Sequence, residues 1–216
     1  MDLLAFISSL EFVTILTIAV FMAISPGPDF FMISRNSFMY KKKAGVFAAL
    51  GVSVALWIHI AYSIAGLAAV IAKSIVLFSI IKYIGAGYLI FIGIKTIISK
   101  PQLASDLMAN HKKHGLSNFA AFKTGFITNA LNPKTTIFFF SIFTQVIDTT
   151  TPLSVQITYG AIISIVHFIW FYCVAFFFSH PLVISKFQRY QKLIESIVGA
   201  ALVLFGIKIA LTRVTE

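Results

Sequence analysis

Two short segments carry the residues best suited to chemistry in this chain. Ser25-Pro26-Gly27-Pro28-Asp29 and Asn129-Ala130-Leu131-Asn132-Pro133-Lys134 each interrupt a long apolar stretch with helix breakers and place one charge at the break. Proline removes a backbone donor and clashes with the preceding turn, so each segment is expected to break a helix, with Pro26, Pro28 and Pro133 as hinges. Backbone groups freed in an apolar medium need polar partners, and a broken, charged helix in each half of a membrane protein marks a transport site. The candidate ligand-binding and proton-binding residues are therefore Asp29, Lys134, Asn132, Asn129, Ser25 and Gly27.

Asp29 reads as the only carboxylate well inside the apolar runs. A lone intramembrane charge is costly enough to demand a polar cavity or a partner, and Lys134, after the matching break, is the candidate partner. One reading has Asp29 bind an ammonium group or carry a proton, while Lys134 or the helix N-terminus near Gly27 and Pro28 holds a carboxylate. The other has Asp29 only start the resumed helix after Pro28. Asn129 and Asn132 have amides able to bind a zwitterion or to satisfy the opened backbone, and the two roles are compatible. His59 and His167 titrate near neutral pH in water and so suit a proton relay, although an interhelical hydrogen bond is the commoner role for such a histidine.

The elements that must position these residues follow from composition. Hydrophobic residues make up 59% of the 216, charged residues 11%, and mean hydropathy is +0.94, against about 45–50% and about 25% in soluble domains. The chain is an all-α membrane protein with room for six transmembrane helices at about 20 residues each. Apolar runs lie near residues 10–38, 44–72, 74–98, 119–147, 152–179 and 194–212, of which the second and fifth contain no charged residue in their spanning cores. Lys208 interrupts the last run, and it and Lys82 are expected to snorkel to the interface. Asp2 and Glu11 replace the basic start of a cleaved signal peptide, so the first run is expected to stay in the mature protein.

The chain reads as one transmembrane domain over residues 1–216, with repeat 1 at about 10–98, repeat 2 at about 119–212 and a linker at 99–118. His111 and His114 in the linker lack nearby ligands at metal spacing and read as solvated loop. Ser25 and Asn132 lie 107 residues apart, His59 and His167 lie 108 apart, and Gly93-Ile94-Lys95 recurs 113 residues later as Gly206-Ile207-Lys208. Three spans per half, an odd number, make this a 3+3 inverted repeat in which the first and fourth helices are broken.

Alternate connections hold Arg35 and Lys41 to Lys43, then Lys100, Lys112, Lys113 and Lys123, then Lys186, Arg189 and Lys192. By the positive-inside rule these face the cytoplasm and both termini face outward. The formal charge of +10 is thus placed at the membrane surface, and nucleic acid is not an expected partner. The glycines read as helix-packing positions. The phenylalanines at 138–140 and 176–178 read as lipid-facing or core filler, because they lack the polar handles that orient a ligand.

SPGPDFFMISRNS at residues 25–37, GAGYLIFIGIK at 85–95 and GFITNALNPKTTIFFFSIF at 125–143 resemble the LysE/RhtB family of amino-acid exporters, most closely its threonine-efflux branch. The resemblance runs from about residue 10 to 212. It implies a multi-pass protein of the bacterial cytoplasmic (inner) membrane that exports small neutral amino acids, of the threonine or homoserine type, by proton antiport. Its partners would be the amino acid, protons and membrane lipid, with no cofactor, and a homo-oligomer stays open. A redox carrier of similar architecture would need paired cysteines, and Cys173 stands alone and suits a small buried apolar position. A divalent-cation exporter would need more Asp, Glu or His ligands within the spans. No Ser/His/Asp set, HExxH or carboxylate pair points to an enzyme or a metal site.

Overall fold

A computed structural model describes residues 9–71, 75–98, 115–132, 134–136, 138–139, 147 and 151–211. Its long elements are all helices: α1 (Leu10–Ile24), α2 (Pro28–Ile71), α3 (Ile75–Ile98), α4 (Asn118–Ala130), α5 (Leu153–Phe177) and α6 (Pro181–Leu211). Pro133 and most of the 99–118 linker, with His111 and His114, lie outside the described residues, as does the side chain of Lys82.

Helix α1 starts where the Ser9 hydroxyl accepts a hydrogen bond from the Phe12 N–H at 3.1 Å, one of the orphan donors of a first turn. It stops at Ser25, whose φ of −58° and ψ of 114° are those of a residue forced out of the helical region by a following proline. Pro28 opens α2 at a first-turn position, where its missing N–H costs nothing. The Phe31 N–H reaches back to the Gly27 carbonyl at 3.0 Å. The expected break in the first span is thus present. The second break is present as well, with α4 ending at Ala130 and helix resuming over residues 134–136 and 138–139.

The expected boundary between the first two apolar runs is a sharp bend inside α2. Tyr40 (φ −120°, ψ 17°) and Lys41 (φ 72°, ψ 161°) leave helical geometry, and Lys41 adopts a backbone conformation that L-residues rarely take. Lys41, Lys42 and Lys43 are exposed there.

The last helix departs from expectation. It begins at Pro181, well before the apolar run at 194, so Lys186, Arg189 and Lys192 lie on α6 itself. The cause is amphipathicity. Ile184, Gln191, Glu195, Val198 and Leu202 face inward at helical spacing, while the basic residues face out, a pattern that continuous hydropathy does not register. This also corrects the reading of Asp29 as the lone carboxylate inside the apolar segments. Glu195 is 2% exposed, and its carboxylate accepts from the Gln191 amide at 2.8 Å.

Two pairs of helices approach to backbone contact. A methyl group on Gly125 of α4 would stand 2.0 Å from the Ala48 carbonyl of α2, and one on Gly51 would stand 2.1 Å from the Phe122 carbonyl. Similarly, a methyl on Gly93 of α3 would meet the Gly199 carbonyl of α6 at 2.6 Å, and one on Gly206 the Ala86 carbonyl at 2.8 Å. Small residues let helices close to this distance. Helix α2 packs mainly on α4 and α5, and α3 mainly on α6.

Pro28–Gly66, Leu153–Phe177 and Arg189–Lys208 are long and apolar enough to cross a membrane, and Leu10–Ile24 and Ala86–Ile98 are shorter apolar helices. Outward faces are apolar too, among them Val54, Trp57 and Ile58 on α2 and Ile165, Ile169 and Phe176 on α5, and grouped exposed apolar residues mark protein or membrane contact. Phenylalanine serves both expected purposes: Phe138, Phe139 and Phe178 are in the core, and Phe176 and Phe177 face outward. Cys173 is half-buried.

Candidate functional site

The two breaks meet. Gly51, Ala55 and His59 share one face of α2 at four-residue spacing, and Gly125 and Asn129 share one face of α4. The close crossing at Gly51 and Gly125 therefore brings His59 onto the end of α4, where its Nε2 lies 3.0 Å from the Asn129 carbonyl oxygen. That carbonyl also accepts from the Asn132 N–H at 2.8 Å, just past the helix end. The other ring nitrogen of His59, Nδ1, lies 2.5 Å from the Tyr62 hydroxyl, and Phe139 stacks on the ring at 5.8 Å. The histidine thus takes the hydrogen-bonded position that the sequence favours.

Asp29 lies in the first turn of α2, 8% exposed. It starts the resumed helix and also reaches across to the other break. Its Oδ2 accepts from Asn129 Nδ2 at 2.9 Å and from Asn132 Nδ2 at 3.0 Å. Its Oδ1 is buried with no hydrogen-bond partner, as is Asn129 Oδ1. Unpaired buried acceptors of this kind are rare because each forfeits its hydration. The Asn132 amide is used at both ends, for its Oδ1 accepts from the Lys134 N–H at 3.0 Å and caps the resumed helix.

Lys134 mirrors that arrangement. Its ammonium donates to the Ser25 hydroxyl at 2.5 Å, to the Ser25 carbonyl at 3.2 Å and to the Pro26 carbonyl at 3.4 Å. These carbonyls lie at the end of α1, where a cation opposes the negative end of the helix. The direct pairing of Asp29 with Lys134 expected from the sequence is replaced by a crossed arrangement, in which Asn129 and Asn132 hold the carboxylate and Ser25 and Pro26 hold the ammonium. Each charge hydrogen-bonds to the break in the other half of the chain, and both line one cavity. Gly27 lies beside the lysine, and a methyl there would come within 3.4 Å of Nζ.

The cavity between the breaks is small, about 20 Å³, and is lined by Met22, Ser25, Gly27, Asp29, Asn132, Lys134, Thr135 and His167. It has room for about one water molecule. It is too small for any ligand larger than that. His167, which lines this cavity, has its Nδ1 2.8 Å from the Ile163 carbonyl of its own helix. Of the sequence-chosen residues, Ser25, Gly27, Asp29, Asn132 and Lys134 line this space, and Asn129 clamps Asp29 from beside it. Pro26 contributes a carbonyl, and Pro28 the helix start. Thr135, Tyr62 and Met22 were not foreseen. Thr135, whose hydroxyl lies 3.4 Å from Asn129 Nδ2, had one available signal, its place in the first turn after a proline break. Among the described residues no group of three or more His, Cys, Asp or Glu gathers to hold a metal ion.

Comparison with known proteins supplies the family. Residues 20–213 match the model of the LysE type translocator. A Bacillus subtilis membrane protein, YrhP, is 34% identical over 201 residues, covering 90% of this chain and 96% of its own length. The threonine efflux protein of Salmonella typhimurium is 26% identical over 202 residues, 94% of this chain and 98% of its own. The leucine efflux protein of Salmonella typhi is 36% identical over 149 residues, 66% of each chain. No solved structure matches. With the model matched over most of its length, this chain belongs to the LysE type translocator family.

Proposed function

We propose that this protein exports small neutral amino acids, of the threonine or leucine type, across a bacterial cytoplasmic membrane by proton antiport. The observation that carries the reading is the buried, unpaired acceptor Asp29 Oδ1 in a cavity that Lys134 also lines, with the unpaired Asn129 Oδ1 on the residue that clamps Asp29. An amino acid has the complementary pattern. Its ammonium has three donors for Asp29, Asn129 and a further acceptor such as Thr135, and its carboxylate suits Lys134 and the N-terminus of the resumed helix.

At about 20 Å³ the cavity must widen for cargo to enter. Opening requires Lys134 to release Ser25 and Pro26, so the same bonds that close the breaks are the ones a substrate carboxylate replaces. Proton coupling then follows from competition. A proton on Asp29 removes the charge that holds the ammonium, so proton and amino acid bind in turn at one carboxylate, and proton entry is coupled to amino-acid exit. His167, on the cavity wall, is positioned to pass that proton.

Two features support a 3+3 inverted repeat. The contact of Gly93 with Gly199 and that of Ala86 with Gly206 exchange with one another under the 113-residue offset of the third and sixth helices. His59 meets the second break, and its counterpart His167 lines the cavity with Met22 and Ser25 of the first.

Vesicles loaded with labelled threonine or leucine test the reading. The parent should export uphill when the outside is acidic. Asp29→Asn keeps the shape and part of the hydrogen bonding but cannot titrate; it should lose gradient-driven export, while exchange without a gradient can survive. Uphill export by Asp29→Asn at the parent rate would move the coupling site elsewhere.

A further inference from the structure

A second cavity, of about 230 Å³, lies between α1 and α6 and is lined by Thr14, Thr17 and Phe21 on one side and Ala201, Leu202 and Lys208 on the other. Thr14, Thr17 and Phe21 recur every three or four residues, so the groove follows one face of α1 for about 10 Å. It ends next to the small cavity. Phe21 lines the groove and its neighbour Met22 lines the small cavity with Asp29. The Phe21 carbonyl accepts from the Ser25 N–H at 3.0 Å, which ties this wall to the Ser25 that Lys134 holds.

We propose that this groove is the outward vestibule of the transport path, a second subsite for the amino acid after it leaves Asp29, with the last turn of α1, Phe21 to Ser25, as the gate between them. The proposal rests on the export function argued above. With both termini outside, as the lysine distribution implies, residues 10–24 lie on the outer side of the break. The lining suits a zwitterion with a short aliphatic side chain. Lys208 adds positive charge to the lining. The Thr17 hydroxyl donates to the Val13 carbonyl at 2.7 Å, so its oxygen is left to accept, as an ammonium requires. Ile18 and Leu202 form a buried apolar floor. The volume equals that of about eight liquid waters, at about 30 Å³ each, against about one in the small cavity. Because Lys134 grips Ser25, release of that grip frees the turn that separates the two spaces.

A lipid acyl chain is the rival occupant, and water access separates the two. In a Cys173→Ser background, which removes the one native cysteine, Thr17→Cys should react from outside with a charged, membrane-impermeant thiosulfonate. Saturating external threonine or leucine should slow that reaction several-fold, and the modified protein should export several-fold more slowly. Thr14→Cys, one turn nearer the surface, repeats the test if Thr17→Cys does not accumulate. Reaction with an apolar maleimide but not with the charged reagent would assign the groove to lipid and overturn the proposal. Reaction with the charged reagent that neither slows export nor is protected by amino acid would also overturn it. A parent that exports neither amino acid would overturn the export reading and the vestibule together, whereas the two preceding outcomes leave export intact.

Discussion

Asn132 is bonded at both ends of its amide, and substitutions that remove those bonds separately distinguish a binding site from a scaffold. Its Nδ2 donates to Asp29 Oδ2 at 3.0 Å, and its Oδ1 caps the Lys134 N–H at 3.0 Å. A hydrogen bond to a charged group contributes about 1.5–3 kcal/mol, and an N-cap about 1 kcal/mol. Asn132→Ala loses both, so it should destabilise the protein by about 2.5–4 kcal/mol. Asn132→Ser keeps a capping oxygen but cannot reach Asp29, and should recover about 1 kcal/mol of that loss. Stability would be read by chemical denaturation of the purified protein in detergent, and export from loaded vesicles after correcting for the amount inserted. If the Asp29 clamp shapes the binding site, the two variants should show equally low export despite their different stabilities. Export that recovers in step with stability, with Asn132→Ser near the parent, would refute the argument and leave Asn132 as a cap alone.

Further outcomes follow from the same geometry. Gly125→Ala drives a methyl to 2.0 Å from the Ala48 carbonyl, so it should cost about 1–3 kcal/mol and lower export by parting His59 from Asn129. Gly27→Ala, whose nearest neighbour is the flexible end of Lys134 at 3.4 Å, should accumulate at the parent level; equal losses in the two variants, by membrane immunoblot and melting temperature, would contradict this packing. Lys41 holds φ 72°, ψ 161°, a region that costs a non-glycine residue about 1–3 kcal/mol. Lys41→Gly should therefore stabilise the protein by about 1 kcal/mol net of the added chain entropy, seen as a raised melting temperature. Accessibility of single cysteines should place residues 39–43 and 100–118 in the cytoplasm and both termini outside. A cytoplasmic N-terminus would instead indicate a re-entrant first segment with five full spans.

Composition and local chemistry determined the class of this protein and the location of its breaks. Proline acts on its own helix and on the residue before it, so Ser25 leaves the helical region whatever surrounds it, and the ends of α1 and α4 were legible from the chain. The residues bearing amide, ammonium and carboxylate at those breaks were legible for the same local reason. The start of α6 was not, because amphipathic spacing over residues 181–193 sets it and no unbroken apolar run marks it. Glu195 went unnoticed with it, since whether a carboxylate is buried depends on what packs over its face of the helix. Only the tertiary structure decided who pairs with whom. Spacing along the chain suggested Asp29 with Lys134, yet the backbone contact of Gly51 with α4 fixes how far each helix slides along its neighbour. That register places the two asparagines, not the lysine, at hydrogen-bond distance from the carboxylate. It also leaves one carboxylate oxygen unpaired, a property that no single segment carries, because it depends on three helix ends meeting at one point.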